Sequence, residues 1–193
     1  MRAETWTSGA DLAWREPFGV AETPPEYVFV RPRLYLDTTI PSYLTARMSR
    51  DLKAARYQKI TTQWWNSWRT NFDIRISELV WREACRGNPE AAERRLELLA
   101  GFPFLEVNER ADALSERLLR DCRLPAHASI DAAHVAVAAV HDMEILLTWN
   151  FAHLVNTDFA PRIRSVCERE GHACPLLCTP EQLMGRYEHE HTR

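Results

Sequence analysis

The chain has 193 residues, of which 46% are apolar and 26% charged, and its formal net charge is −3. This length and apolar content suit one globular domain with a core of its own. No apolar run reaches the roughly 18 residues that a membrane-spanning helix needs, and the acidic, interrupted N-terminus does not resemble a secretory signal. We therefore expect a cytoplasmic protein without a membrane partner, and five reduced cysteines.

Charge is unevenly distributed along the chain. Residues 31–95 carry 13 Lys and Arg against seven Asp and Glu, whereas the segments on either side are acidic. A basic segment of this kind is suited to face a polyanion such as a nucleic acid. Solvated helix faces rich in arginine would give the same balance, so the charge alone leaves both interpretations open.

Residues 1–32 show no sustained periodicity and are interrupted by prolines, so they are predicted to be an N-terminal extension outside the core. This extension either docks on the body or a partner, or is a disordered leader. After it, short apolar strands alternate with helices, which indicates an α/β fold with a mostly parallel sheet. A turn is predicted at residues 38–43, with Pro41 opening a helix. The predicted strands are 34–37, 72–77, 104–107, 144–148 and 175–178, and the main predicted helices are 51–69, 78–86, 89–99, 109–122, 127–142 and 159–170.

Polar residues stand where three of the predicted strands end, at Asp37, Ser77 and 148–150 (Thr-Trp-Asn). Ligands of parallel α/β sheets bind beyond these carboxyl ends. Asp37 follows an apolar triplet, so its carboxylate is expected at this edge of the sheet, with a helix-capping role as the alternative. Glu83 lies on the helix that leaves the same edge after Ser77, although an exposed helical glutamate is the ordinary case.

Asp131 begins a helix so rich in Ala and Val that most of it must be buried. A charged side chain in that setting needs a partner or a metal ion. The alternative is that Ser129 caps the helix and that Asp131 is a routine acid of its first turn. His134 shares a face with Asp131, and we interpret it as a hydrogen-bonded core histidine, with a place beneath the site as the alternative.

Carboxylates that converge beyond strand ends repel one another unless a cation lies between them. Oxygen ligands suit Mg²⁺ or Mn²⁺. Such an ion lowers the pKa of a bound water and neutralises charge on a phosphate, so the pattern indicates metal-assisted hydrolysis of a phosphodiester. A zinc site at Cys174 and Cys178 is disfavoured, because four residues of strand separate them by about 13 Å.

The segments LYLDTTIPSYL, ISELVWREA and IDAAHVAVAAVHDMEILLTWNFAHL, in this order, resemble the PIN-domain ribonucleases and, within them, the VapC-like toxins of bacterial toxin–antitoxin pairs. The resemblance spans residues 33–185 and implies a PIN-like three-layer α/β/α domain, followed by a C-terminal tail of residues 186–193. It further implies an endoribonuclease that requires Mg²⁺ or Mn²⁺ and cuts RNA. The partners that it implies are a cognate antitoxin and a second copy of the chain in a homodimer.

By motif position, the resemblance assigns the metal-binding acids to Asp37, Glu83 and Asp131. At the family's fourth acidic position this chain has Asn150, which we expect to orient the ion or the substrate. An amide brings no charge, so the alternative function is a catalytically weak PIN-like module that binds RNA or a protein. Residues at the strand ends are expected to support the site, namely Thr38, Ser77 and Thr148.

Overall fold

The structure is a computed structural model that describes residues 30–150 and 159–190. Its five strands form one sheet in the order β3-β2-β1-β4-β5, and every pairing is parallel. The α/β class with a parallel central sheet, predicted from the sequence, is confirmed. The strands are β1 (Arg33–Leu36), β2 (Asp73–Ser77), β3 (Phe104–Leu105), β4 (Ile145–Leu147) and β5 (Leu176–Cys178).

Eight α-helices connect and flank these strands in the described part of the chain. Several begin where the sequence supplies a capping side chain: Asp51, Asn88 and Asn108 each accept a hydrogen bond from a backbone N–H of the first turn. The helices are α1 (Thr39–Thr45), α2 (Leu52–Ser67), α3 (Glu78–Ala84), α4 (Pro89–Leu99), α5 (Glu109–Asp121), α6 (Ser129–Val140), α7 (Ala160–Arg169) and α8 (Pro180–Glu190).

The sheet reverses its direction of growth beside β1. The chain adds β2 and then β3 on one side of β1, and returns to add β4 and β5 on the other. In such sheets a crevice forms beyond the carboxyl ends of the two strands where the order reverses. β1 and β4 are those strands, and the buried Leu34, Tyr35 and Leu36 pair with the apolar residues of β4.

Helix α6 is buried along most of its length, as predicted. Eight of its twelve residues are buried, including Asp131 and His134. The suggestion that Ser129 caps this helix is wrong: the N-cap position is Ala128, at the end of a 3₁₀ turn (Ala126–Ala128), and Ser129 is exposed. Asp131 is therefore a buried acid in the first turn without a neighbouring hydroxyl cap.

Two further details of the helices differ from the sequence prediction. Helix α1 begins at Thr39, so Pro41 is its third residue and does not open it. Helix α8 runs through position 185, where the sequence predicted the end of the domain. Residues 1–29 of the predicted extension lie outside the described residues. Within the described ranges, no helix combines the length and apolar character that crossing a membrane requires.

Candidate active site

One cavity of about 720 Å³ lies at the carboxyl edge of the sheet, and all four predicted site residues line it. Asp37 directly follows β1, Glu83 lies on α3, Asp131 is in the first turn of α6, and Asn150 follows β4. His134, one turn after Asp131, lines the same cavity. Four separate elements thus bring three carboxylates, an amide and an imidazole together where the strand order reverses.

Two threonines hold the carboxylate of Asp37. Its Oδ2 accepts hydrogen bonds from Thr39 Oγ1 (2.6 Å) and Thr148 Oγ1 (2.7 Å). The side chain is nearly buried, and its Oδ1 lies 3.8 Å from His134 Nε2. Thr148 was among the residues predicted near the site and contacts Asp37 directly, whereas Thr39 was missed by the sequence reasoning. Asp37 Oδ2 also accepts a hydrogen bond from the backbone N–H of Thr39, the first residue of α1, at 3.3 Å, so the helix-capping role considered as an alternative coexists with its place at the cavity.

Glu83 is held from two sides. Its Oε2 accepts a hydrogen bond from Thr38 Oγ1 (2.5 Å) and lies 3.1 Å from His134 Nε2. Partial burial favours a higher pKa, but the hydrogen bonds of His134 and Thr38 outweigh it and keep the pKa of Glu83 below its ordinary value. Thr38 therefore supports Glu83, and Glu83 is oriented as a carboxylate toward the cavity.

His134 is fully buried and hydrogen-bonded, as interpreted from the sequence, yet it also belongs to the site. Its Nδ1 lies 2.7 Å from the hydroxyl of Tyr35, and that hydroxyl lies 2.6 Å from Ser77 Oγ. Burial opposes the charged imidazolium, but Glu83 and the carboxylates of Asp37 and Asp131 outweigh it and raise the pKa of His134. The carboxylates beside Nε2 therefore favour a hydrogen on that nitrogen.

Ser77 supports the site from a greater distance than expected. Its hydroxyl contacts Tyr35 and accepts a hydrogen bond from the backbone N–H of Leu79, which caps α3. Ser77 thus reaches the carboxylates through Tyr35 and His134. Tyr35 was missed because it lies inside an apolar strand, although a tyrosine hydroxyl in a buried strand requires a polar partner.

Asn150 interacts with Asp131. Its Nδ2 donates to Asp131 Oδ1 at 2.8 Å, and its backbone N–H donates to Thr148 Oγ1 at 2.9 Å. The amide therefore points its donor at the carboxylate of Asp131, where a second carboxylate would be repelled.

The arrangement of donors fits a divalent metal ion. Asp37, Glu83 and His134 each offer one ligand atom, and these atoms lie within 4.8 Å of one another. This group differs from the predicted set in that His134 stands in it and Asp131 does not, although Asp131 lines the same cavity. Carboxylate oxygens are the ligands that Mg²⁺ and Mn²⁺ prefer, and an imidazole nitrogen is preferred by zinc and other transition metals.

Two arginines add positive charge at the same cavity. Arg47, in the connection between α1 and α2, and Arg86, just after α3, both line it and are exposed. Both belong to the basic segment of residues 31–95. The cavity thus combines acidic groups with exposed guanidinium groups that suit phosphate oxygens.

No protein-family model matches the sequence, and no curated protein matches it. Among solved structures, the chain is similar to the crystal structure of VapBC2 from Rickettsia felis bound to a DNA fragment from their promoter. The two chains share 15% sequence identity, and the TM-score is 0.44. The alignment covers 76% of this chain and 97% of the matched chain.

Proposed function

We propose that this protein is an endoribonuclease of the PIN-domain type, with Mg²⁺ or Mn²⁺ held by Asp37, Glu83 and Asp131. The observation that carries the proposal is the convergence of these three acids, from three separate elements, in one cavity at the carboxyl edge of the sheet. Ligands of parallel α/β sheets bind at this edge. The sequence resemblance to PIN-domain ribonucleases supplies the reaction class and the substrate.

A divalent ion, when bound, supplies an acidified water and neutralises negative charge on the scissile phosphate. Hydrogen bonds within the protein hold the metal-binding carboxylates in place before the ion binds. Thr39 and Thr148 hold Asp37, and Thr38 holds Glu83. Carboxylates held in this way do not need to reorganise when the ion and substrate enter.

Asn150 and the arginines complete this assignment. The amide of Asn150 orients Asp131 through its hydrogen bond of 2.8 Å. Arg47 and Arg86 would bind backbone phosphates of the RNA, because exposed guanidinium groups at the cavity attract anionic oxygens.

Incubation of the purified protein with end-labelled single-stranded RNA tests this function. We expect internal cleavage with millimolar Mg²⁺ or Mn²⁺ and intact RNA with EDTA. A DNA strand of the same sequence is the control for substrate class. Intact RNA with both metals, from a correctly folded protein, would contradict the assignment.

Asn150 also favours a second candidate, a PIN-like module that binds RNA or a protein without cutting it. At the position where the resemblance implies a fourth acid, the amide of Asn150 adds no negative charge to the cavity. Metal-dependent cleavage excludes this candidate. RNA binding that persists in EDTA, without cleavage in either metal, supports it.

Substitution of Thr148 by Val is expected to weaken metal binding. The change keeps the shape of the side chain but removes the hydrogen bond to Asp37 Oδ2. Loss of a partner that orients a metal ligand typically costs about 10- to 100-fold in metal affinity. Titration calorimetry with Mn²⁺ measures this loss. Thr62→Val, the same change on the exposed side of α2, is the matched control, and equal affinities of the two variants would contradict the role of Thr148.

The VapC-like resemblance extends the proposal to a toxin that a cognate antitoxin controls. An antitoxin would block the cavity most simply with a basic side chain that reaches the carboxylates of Asp37, Glu83 and Asp131. Expression of the protein alone in a bacterial host is then expected to slow growth, and expression of Asp37→Asn is expected to be harmless. Unchanged growth at high levels of soluble wild-type protein would count against the toxin assignment.

A further inference from the structure

His134 stands among the carboxylates with its Nε2 facing them, as a metal ligand would. We propose instead that His134 is a positioning residue: its Nε2–H holds Glu83, its ring is fixed by Tyr35 and Ser77, and it gives no lone pair to the ion. The centre is then built from oxygen ligands. The part of this inference that concerns the ion rests on the proposed function.

A series of hydrogen bonds leads from Ser77 through Tyr35 to His134, and its direction follows from the contacts of Ser77. The backbone N–H of Leu79 donates to Ser77 Oγ at 3.2 Å. Among the hydrogen-bond contacts of Ser77, the oxygen of Tyr35, 2.6 Å away, is the acceptor within reach of the Ser77 hydroxyl hydrogen. The Tyr35 hydroxyl is left to donate its own hydrogen to His134 Nδ1, at 2.7 Å. Nδ1 is therefore the acceptor nitrogen of the ring.

The other ring nitrogen meets acceptors. Nε2 of His134 lies 3.1 Å from Glu83 Oε2 and 3.8 Å from Asp37 Oδ1. An ionised carboxylate only accepts hydrogen bonds, so Nε2 must carry the hydrogen. The opposite tautomer would direct the Nε2 lone pair at two anions.

Because these polar groups are buried, each of them needs a hydrogen-bond partner within the protein. Tyr35 and Ser77 have no exposed surface, and His134 is 1% exposed. Water cannot hydrogen-bond to groups at these positions. A buried donor or acceptor left without a protein partner would therefore destabilise the fold by the full desolvation penalty of that group. With a neutral ring, the orientation in which Ser77 donates to Tyr35, Tyr35 donates to Nδ1 and Nε2–H donates to Glu83 leaves none of these donors without an acceptor.

The choice of ion follows from this arrangement. A ring nitrogen that carries a hydrogen has no lone pair for coordination. Without the imidazole, the ligands left at the cavity are the oxygens of Asp37, Glu83 and Asp131, a set that suits Mg²⁺ and Mn²⁺ better than zinc.

Nitrogen NMR of the protein labelled with ¹⁵N-histidine tests the tautomer directly. In EDTA, at a pH where the ring is neutral, we expect His134 to show a protonated Nε2 and an unprotonated Nδ1. Addition of Mg²⁺, which is diamagnetic, is expected to leave the Nε2–H signal in place. A neutral ring protonated at Nδ1, or loss of the Nε2 proton when Mg²⁺ binds, would overturn the inference.

Substitution separates positioning from ligation. Tyr35→Phe removes the donor to Nδ1 and is expected to shift the ¹⁵N signals of His134, whereas Tyr187→Phe, on α8 against Trp68 and Phe72, is the control expected to leave them unchanged. His134→Gln keeps an N–H donor for Glu83 and is expected to bind Mn²⁺ within about 10- to 100-fold of wild type, the range for a lost outer partner. Loss of Mn²⁺ binding beyond that range in a folded His134→Gln protein would identify His134 as a ligand.

The two proposals fail in different ways. If the wild-type protein binds neither Mg²⁺ nor Mn²⁺, the proposed function is wrong, while the spectra in EDTA still decide the hydrogen bonds of His134. If the protein binds Mn²⁺ but the ring is protonated at Nδ1, the positioning role is wrong and the metal-dependent function stands.

Discussion

Replacement of Asp37 by Asn is expected to abolish RNA cleavage while the protein keeps its fold. The amide oxygen of Asn can still accept the hydrogen bonds of Thr39 and Thr148, so the packing at the end of β1 is preserved. The negative charge that binds the ion is lost. Since removal of an outer partner alone costs about 10- to 100-fold, loss of the ligand itself is expected to cost more than about 100-fold in cleavage rate.

Cleavage of labelled RNA in Mn²⁺ measures this effect, with a thermal melt in EDTA to verify the fold. Asp112→Asn is the matched control, because Asp112 is an exposed acid in the first turn of α5 and does not line the cavity. We expect the control to cut at the wild-type rate. Cleavage by Asp37→Asn at that rate would place the active site elsewhere.

Substitution of Asn150 by Asp is expected to change stability with opposite sign in the presence and absence of metal. Without metal, the new carboxylate replaces the donor that lies 2.8 Å from Asp131 Oδ1, so a hydrogen bond is lost and two anions repel each other at neutral pH. With metal, the added charge strengthens ion binding. Each effect is expected to be about 1–2 kcal/mol, judged from the strength of hydrogen bonds to charged groups.

Thermal melts of both proteins, in EDTA and in millimolar Mn²⁺, test this prediction. Asn66→Asp, on the exposed face of α2, makes the same chemical change away from the cavity and is expected to show no such reversal. Melts of Asn150→Asp that match wild type in both conditions would place Asn150 outside the metal site. The binding-module alternative would then lose its main support.

The fold class could be predicted because local sequence and topology agree. A buried triplet such as residues 34–36 in the centre of a parallel sheet is apolar throughout, and a polar residue marks the point where it ends. This rule pointed to Asp37 and to the segment 148–150, and the resemblance then singled out Asn150 within that segment. The weakest prediction was the edge strand β3, which has two residues where four were expected, since an edge strand has only one neighbour to fix its ends.

The supporting contacts could be predicted only in part, because they depend on tertiary packing. Neighbouring hydroxyls in the Asp-Thr-Thr sequence divide between two carboxylates: Thr39 binds Asp37 and Thr38 binds Glu83. No spacing rule assigns that division. The contact between Tyr35 and His134 joins residues 99 positions apart in the chain, and it exists only because α6 packs against the sheet.

Metal binding at the acidic cavity is the central claim, and crystals soaked in Mn²⁺ test it most directly. Anomalous scattering locates the ion without assumptions about the fold or the ligands. We expect one strong peak in the cavity at the carboxyl edge of the sheet, coordinated by oxygens of Asp37, Glu83 and Asp131. A cavity without a peak, or a peak held by residues elsewhere in the protein, would contradict the account.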